Sequence, residues 1–340
     1  MLTETSIKDT VPNQSLISEA LEDKLRAKAF NITPENAEEI IYKRWDLLKS
    51  IYPNFKELCQ SDLQMSPNAM LPTLWNLWLP LAIQIASRYQ QIQRPFIQGI
   101  LGGQGTGKTT TCKVINLILS HLKYRTLSLS IDDLYKTYQA RLILQQQDPR
   151  LIWRGPPGTH DIDLGLNLLD NILQRQTKIT VPRFDKSLHS GAGDRIKPQT
   201  VEKIDIVLFE GWFVGVRPIN SAVFNAPPQP IVTEADKAFA KYMNEKLHDY
   251  LPLWQRLDSL IVLYPKDYRL SLEWRKQAEH QMKASGKTGM SDLEIEEFVN
   301  YFWKALHPEL FIQPLIKSPL IDLLIEINPN HSFGKVYKSS

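Results

Sequence analysis

Eight consecutive residues, Gly102–Thr109, follow the pattern Gly-x-x-x-x-Gly-Lys-Thr. An apolar segment at 95–101 predicts a buried strand before them, and apolar residues at helical spacing follow. Backbone N–H groups and a helix dipole at such a junction form a cradle for phosphate. We therefore expect a bound nucleoside triphosphate, with Lys108 reaching its β- and γ-phosphates and the Thr109 hydroxyl holding Mg²⁺. The expected nucleotide-binding residues are Gly102, Gly103, Gln104, Gly105, Thr106, Gly107, Lys108, Thr109 and Thr110.

Acidic residues end two other predicted strands. Asp132 and Asp133 close the strand predicted over 125–131, and Glu210 follows the one predicted over 204–209. Glu210 suits the shell of a Mg²⁺ ion, often through water. Neighbouring side chains on an extended chain point to opposite sides, so only one aspartate can orient an acceptor hydroxyl and take its proton. We favour Asp132 as this catalytic base, with Asp133 as a helix cap.

Two segments, 154–161 and 178–195, combine glycines, hydroxyls and cations in a way that suits a small anionic acceptor. Arginine can grip a carboxylate through two parallel hydrogen bonds. Thr159 and His160 also suit purely structural roles before an apolar helix, and a solvated loop is the ordinary interpretation of a charge cluster. The candidate substrate-binding residues are Arg154, Thr159, His160, Arg183, Lys186 and Arg195.

Further cations follow the next predicted strand. Lys266, Arg269 and Lys276 are predicted to share one face of a helix, and Arg275 and Glu279 stand four residues apart. A mobile helix of this kind could close over the phosphates and stabilise charge in the transition state. An exposed helix face explains the same spacing equally well. Arg275 is the catalytic cation of this hypothesis, with Arg269 as the alternative.

Composition indicates an ordinary globular protein. The 340 residues are 43% apolar and 23% charged, and the net charge of +3 is too small to indicate nucleic-acid binding. Two cysteines cannot build a disulfide framework, which favours a reducing compartment; Cys112 stands near the phosphate loop, but a buried, inert thiol is the preferred interpretation. The uncharged stretch 71–87 is short for a membrane span and predicts a kinked, buried helix. No targeting segment is apparent, so we expect a cytoplasmic protein without membrane contact.

The elements that must position these residues alternate between strand and helix, the signature of parallel βαβ units. Residues 17–93 are predicted to be helical, 216–231 a proline-bearing surface loop and 328–340 a polar, frayed end. Strands are predicted at 95–101, 125–131, 204–209, 259–264 and 321–327. The predicted divisions are 1–93, a tail and helical extension packed on the core; 94–330, the phosphate-loop domain; and 331–340, a C-terminal tail.

Taken together, these motifs resemble the D-glycerate 3-kinase family, a branch of P-loop kinases related to uridine kinase, phosphoribulokinase and pantothenate kinase. The Arg-Gly-x-x-Gly-Thr-His-Asp and Ser-Gly-x-Gly-Asp-Arg stretches are more particular to it than the phosphate loop is. The resemblance spans roughly 95–327 and is carried by 102–109, 131–135, 154–161, 181–195, 209–212, 274–279 and 286–292.

The resemblance implies an α/β P-loop kinase fold with a parallel five-stranded sheet in the order 2-3-1-4-5. It implies Mg²⁺ and ATP as cofactors and phosphorylation of D-glycerate to 3-phosphoglycerate, as in photorespiratory carbon recovery, with Asp132 matching the acid at the end of the second strand. Plant members carry a plastid transit peptide, so a bacterial or cyanobacterial type of cytosolic enzyme fits this chain better.

Two alternatives remain open from the residues. A related kinase could act on another small acceptor, such as a nucleoside or pantothenate. A regulatory ATP-binding protein could instead use the N-terminal helices as its interface, although a switch does not need the anionic-acceptor segments. The sequence leaves a monomer and a homodimer equally open.

Overall fold

A six-stranded sheet organises the described part of the chain. The computed structural model describes residues 4, 7, 11–284, 286 and 289–338. Within them the sheet has the order β2-β5-β1-β6-β7-β8, parallel except for β8. The five parallel strands, counted in chain order, follow the expected 2-3-1-4-5 arrangement. Their bounds are β1 Phe96–Gly102, β2 Thr126–Ser130, β5 Ile206–Gly211, β6 Ser259–Pro265 and β7 Leu323–Ile327.

The sixth strand, β8, lies in the segment predicted to be a C-terminal tail. Phe333–Tyr337 pairs antiparallel with β7. Val336 is buried, and the Phe333 ring contacts Trp78 edge to face at 5.8 Å between centroids. These two side chains anchor the strand, although their polar neighbours in the sequence predict a frayed end. The tail prediction is therefore wrong for these five residues.

Helices cover one face of the sheet from the N-terminal side. They are α1 Gln14–Glu22, α2 Lys24–Ala29, α3 Ala37–Leu58, α4 Pro67–Thr73, α5 Leu79–Ile92 and α6 Lys108–His121. Buried residues of α3, α5, α6, β1, β6 and β7 form one continuous apolar core. The predicted helical region is thus packed directly against the helix that follows the phosphate loop.

The apolar stretch Pro67–Ile92 is the one described segment long and apolar enough to cross a membrane, yet 61% of its most apolar window is buried inside the protein. A π-helical turn, Leu74–Trp78, separates α4 from α5. Trp75 packs edge to face on Trp45, and the Trp78 indole N–H donates to the Thr111 hydroxyl of α6 at 3.3 Å. The segment forms the buried, irregular helix predicted for it.

Most of the remaining helices lie against a second apolar core on the other face, whereas Leu270 and Trp274, on one of these helices, pack with the first core. They are α7 Tyr138–Gln147, α8 Ile162–Leu173, α9 Glu234–Lys246, α10 Leu251–Trp254, α11 Leu270–Ala284, α12 Asp292–Ala305 and α13 Pro308–Ile316. The proline-bearing stretch 216–231 has many exposed residues, as predicted, but Phe224 and Ile231 anchor it in this core.

A two-stranded antiparallel hairpin occupies the basic segment 178–195, which is predicted to bind an anionic acceptor and for which a solvated loop is the ordinary interpretation. Its strands are β3 Ile179–Asp185 and β4 Asp194–Val201, with an irregular register around Pro182. Ile179 and Val181 are buried, whereas much of β4 is exposed. The short apolar alternation is interrupted by proline and by basic residues, which is why the sequence pattern indicates a loop. The connection 186–193 becomes part of the candidate site.

Candidate active site

The phosphate loop joins β1 to α6 in a left-handed backbone conformation at two glycines. Gly105 and Gly107 have φ of 77° and 82°. A side chain at Gly105 would also meet the Trp274 Cβ at 2.8 Å, because that indole of α11 covers the loop. Gly105 is therefore required for both conformation and space, and Gly107 for its conformation alone.

Lys108 is folded back on its own loop. Its ammonium donates to the Gly103 carbonyl at 2.9 Å, as the Thr106 hydroxyl does at the same distance. Burial lowers the pKa of Lys108, against the opposing influence of the Glu210 and Asp132 carboxylates. The lysine thus lacks a directly bonded anionic partner in the described residues, and a phosphate oxygen would supply one.

Asp132 and Asp133 take different roles on a 3₁₀ turn, Ile131–Leu134, that follows β2. Asp133 forms a capping box with Ser130 and accepts a hydrogen bond from Arg183 at 2.9 Å. Burial raises the pKa of Asp133, although Ser130 and Arg183 oppose the shift. Asp133 is therefore the capping residue, as predicted.

Asp132 faces the other way, into a cavity. Its carboxylate accepts from the Lys186 ammonium at 2.6 Å and from the Tyr135 hydroxyl. Burial alone would raise the pKa of Asp132, but the charge and hydrogen bond of Lys186 and the bond from Tyr135 hold it below its ordinary value. Asp132 is thus ionised at neutral pH and able to accept a hydrogen bond from a hydroxyl group.

Glu210 ends β5 directly beside the end of β2, since it is in register with Ser130. Burial raises the pKa of Glu210, while Lys108 and a hydrogen bond from the Ser130 hydroxyl oppose the rise. A partly buried carboxylate and the Thr109 hydroxyl are the hard oxygen donors that Mg²⁺ prefers. In the described residues no three His, Cys, Asp or Glu side chains converge on one point. This sparse set fits Mg²⁺, which keeps waters and phosphate oxygens in its shell.

A cavity of about 1210 Å³ adjoins the phosphate loop. Among its lining residues are the predicted Asp132, Arg154, Thr159, Lys186 and Arg275, contributed by four separate parts of the chain. The connection 186–193 of the hairpin forms part of its wall. The structure therefore brings Lys186, the candidate base Asp132 and Arg275 of α11 to one water-accessible cavity.

Four of the predicted substrate-binding residues have structural partners instead. Arg183 bonds Asp133 and Gln199, and Arg195 bonds Asp161 at 2.8 Å and the Tyr135 carbonyl at 2.7 Å. The two arginines fasten the hairpin to the turn after β2 and to the N-terminus of α8. Their direct contact with an acceptor stays a prediction.

Thr159 and His160 are likewise engaged within the fold. The Thr159 hydroxyl accepts from the Gly155 N–H and donates to the Pro156 carbonyl, so that it shapes its own loop at the cavity wall. His160 is only 1% exposed, stacks on the Tyr135 ring and bonds the Tyr250 hydroxyl through Nδ1 at 2.7 Å. His160 therefore supports Tyr135 from behind.

Burial lowers the pKa of His160 from 6.5 to about 3, which makes a pH dependence testable. Below pH 6.5 the unfolded chain binds a proton that the folded protein does not, so stability falls as pH falls toward 3. Between pH 7 and 5 this residue should remove about 2 kcal/mol from the free energy of unfolding. Urea titrations of His160→Gln should show a shallower decline over that interval. A decline equal to that of the unsubstituted protein would contradict the lowered pKa of His160. The free energy of unfolding at pH 7 separately reports any packing that the substitution removes.

On the predicted lid helix, only one of the two candidate arginines reaches the cavity. Arg275 lines it, bonds Glu279 at 3.1 Å and has a buried Nε without a partner in the described residues. Lys266 and Arg269 precede α11 instead of sharing its face, and Arg269 pairs with the adjacent Asp267. Arg269 is therefore the weaker candidate.

Three other expectations concern Cys112, the stretch 286–292 and Lys276. Cys112 is buried and burial raises its pKa, which agrees with an inert thiol. Lys287 and Thr288, in the 286–292 stretch of the family resemblance, lie outside the described residues. Lys276, predicted to face the phosphates, pairs with Glu296 of α12 at 2.6 Å.

Sequence reasoning missed Arg141 and Tyr135 as cavity residues. Arg141 lies on α7, a helix with no buried residue and no recognisable motif. Tyr135 falls within a family stretch, but nothing in the sequence predicts that its hydroxyl bonds Asp132. Only the tertiary arrangement brings both residues to the cavity that contains Asp132.

The known proteins to which this chain is similar are kinases. No family model matches the chain. It is 34% identical to the uncharacterized kinase mug58 of Schizosaccharomyces pombe over 218 residues, which are 62% of this chain and 79% of that protein. It is 29% identical to the chloroplastic D-glycerate 3-kinase of Arabidopsis thaliana over 321 residues, covering 87% of this chain and 68% of the relative.

A solved structure agrees with these relatives. The D-glycerate 3-kinase of Cryptococcus neoformans var. grubii superposes with a TM-score of 0.69 at 26% identity. The matched region covers 77% of this chain and 99% of that protein. The similarity thus extends over the whole fold of a solved kinase and is not confined to the phosphate loop.

Proposed function

This chain belongs to the D-glycerate 3-kinase family of P-loop kinases, and on that premise we propose that it transfers the γ-phosphoryl group of ATP to D-glycerate, giving 3-phosphoglycerate. The observation that carries the proposal is the Asp132 carboxylate, held ionised beside Lys186 in a cavity that adjoins the phosphate loop. A hydrolytic switch does not need the basic side chains, Arg154 and Lys186, that line this cavity.

ATP binds along 102–110 with its terminal phosphates at Lys108. The Thr109 hydroxyl and the Glu210 carboxylate would hold Mg²⁺, whose charge would neutralise the phosphate oxygens. Lys108 exchanges its bond to the Gly103 carbonyl for a phosphate oxygen. Arg275, on the helix that covers the loop, adds positive charge at the cavity side.

The acceptor lies between the phosphates and the basic wall of the cavity. Asp132 accepts a hydrogen bond from the reacting hydroxyl, orients its oxygen and takes its proton as the phosphoryl group transfers. Lys186 keeps Asp132 ionised before transfer, and Arg154 binds the acceptor's negative charge. Positioning and charge neutralisation are the main requirements of phosphoryl transfer.

We also propose a cytoplasmic, small-molecule enzyme without nucleic-acid or membrane partners, serving photorespiratory recovery of glycerate. The net charge of +3 and the burial of the apolar Pro67–Ile92 stretch support the part of this proposal that concerns nucleic acid and membranes. Either a monomer or a homodimer is compatible with a cavity built from one chain.

An acceptor panel tests the proposed reaction. With Mg-ATP in excess, ADP release is followed in the presence of D-glycerate, L-glycerate, glycerol, uridine and pantothenate. We expect D-glycerate to stimulate release far above the rate without acceptor. Preference for uridine or pantothenate would make the protein a kinase of another acceptor class, and ATP hydrolysis indifferent to all acceptors would favour a regulatory ATPase.

A further inference from the structure

Two arginines from different elements of the chain lie over the same two aromatic rings. The Arg141 guanidinium, from α7, lies 5.1 Å from the Phe184 ring centroid and 5.9 Å from that of Tyr135. The Arg154 guanidinium lies 5.7 and 6.0 Å from the same two rings. We call Arg141 and Arg154 the arginine pair.

The arginine pair has no carboxylate ion pair within the described residues. Arg141 donates to the Gly193 carbonyl and Arg154 to the Gly191 carbonyl, both in the connection between β3 and β4. Asp194 is close enough to act on Arg141 electrostatically, but its carboxylate already accepts from the Tyr138 and Arg195 N–H groups. By contrast, the predicted candidates Arg183 and Arg195 each pair with an aspartate.

Two like charges held together without an anion are an unfavourable arrangement that an anionic ligand relieves. Burial lowers the pKa of Arg141, and the charge of Arg154 lowers it further. The Nε atom of Arg141 is buried and has no hydrogen-bond partner among the residues that the structure describes. Both residues line the 1210 Å³ cavity, so a ligand can reach them. Rings beneath the guanidinium planes hold such groups in place for bidentate contacts.

We propose that the arginine pair binds the carboxylate of the acceptor and that Arg141 is a specificity-determining residue. The inference rests on the proposed glycerate kinase function and names the group that distinguishes the substrate from a simple alcohol. It moves the carboxylate contact away from Arg183 and Arg195, which the fold uses for its own ion pairs.

Tyr135 relates this carboxylate site to the base. Its hydroxyl bonds Asp132, while its ring lies within about 6 Å of both guanidinium carbons. In this proposal the reacting hydroxyl and the carboxylate of the acceptor both lie beside this one tyrosine side chain. A short hydroxy acid, with few bonds between the two groups, meets that requirement, and its carboxylate fixes which hydroxyl approaches Asp132.

The test compares Arg141→Met and Arg141→Lys with the matched control Arg150→Met. Arg150 is also an arginine over a tyrosine ring, but it pairs with Asp148 and does not line the cavity. We expect KM for D-glycerate to rise about 10- to 100-fold in Arg141→Met, as for loss of hydrogen bonds to a charged group. Arg141→Lys keeps the positive charge but not the planar guanidinium group, and its KM for D-glycerate should rise less. The KM for ATP and the kcat should change less than about threefold.

Glycerol serves as the acceptor without a carboxylate. The ratio of kcat/KM for glycerate to that for glycerol should fall in Arg141→Met by the same factor by which KM rises, which a general structural defect would not produce. D-glycerate should also raise the melting temperature of the unsubstituted protein and of Arg150→Met, but not that of Arg141→Met. This melting measurement does not require turnover. Together with the data for Arg141→Lys, it detects a variant that merely misfolds.

The outcomes separate this inference from the proposed function. If the unsubstituted protein phosphorylates glycerate and the Arg141 variants keep its KM, the arginine pair is not the carboxylate site although the function stands. If sn-glycerol 3-phosphate is the better acceptor and depends on Arg141, the pair binds an oxyanion but the glycerate proposal fails. If a neutral acceptor is preferred and Arg141→Met leaves its kinetics and the glycerate melting shift unchanged, the inference is overturned.

Discussion

Replacing Asp132 by asparagine lowers kcat with D-glycerate about 10²- to 10⁴-fold and leaves the KM for ATP nearly unchanged. Asparagine keeps the shape of the side chain but cannot take the proton of the acceptor hydroxyl. It also loses the charge that holds Lys186 at 2.6 Å. Steady-state kinetics with either substrate varied, followed by ADP release, measures both effects.

Asp133→Asn is the matched control because it alters the adjacent aspartate on the same turn. Asp133 caps that turn and pairs with Arg183, so its substitution should lower stability by about 1 kcal/mol and kcat by less than about tenfold. The assignment of Asp132 as the base fails if its variant turns over at a near-normal rate, or if the Asp133 variant carries the large loss instead.

Replacing Lys108 by methionine produces the second large effect. The ammonium is the cation of the phosphate loop, and its removal should lower kcat/KM for ATP about 10²- to 10³-fold, as for the loss of one charge-stabilising donor. The stability of the protein without ligand should not fall, because burial already disfavours the charged lysine, as its lowered pKa shows. Kinetics and urea unfolding of the same preparation measure the two halves of this prediction.

Lys113→Met tests whether any lysine of α6 would act in the same way. Lys113 pairs with Asp62 at 2.8 Å and is partly exposed. We expect its substitution to leave kcat/KM within about twofold and to change stability by less than about 1 kcal/mol. A loss of ligand-free stability in Lys108→Met with unchanged kinetics would show that the lysine is structural, contrary to the account.

The framework of the site could be predicted because local signals specify it. The phosphate loop combines glycines at positive φ with a lysine at the start of α6, and apolar runs identify the five parallel strands. The carboxylates Asp132 and Glu210 could be predicted because they stand at the ends of two of these strands. Parallel strands bring such ends to one edge of the sheet, so sequence order alone indicates their proximity.

The acceptor side could not be predicted to the same extent, because its partners are distant in sequence. Arg183 pairs with Asp133 across 50 residues, and Arg195 with Asp161 across 34. A charge pattern cannot tell which arginine will find an aspartate and which will remain available for a ligand. Arg141 lies on a polar helix, and its place in the cavity depends on the β3–β4 hairpin. The strands of this hairpin could not be predicted, because basic residues and Pro182 interrupt their apolar pattern.

The central claim, transfer of phosphate from ATP to glycerate, is tested most directly by a phosphorus NMR spectrum of the reaction with Mg-ATP and D-glycerate. We predict a new phosphomonoester signal, split into a triplet by the two protons on C3, that grows in step with ADP. A doublet would place the phosphate on the C2 oxygen. A growing orthophosphate singlet with no ester signal would show hydrolysis alone and would contradict the account.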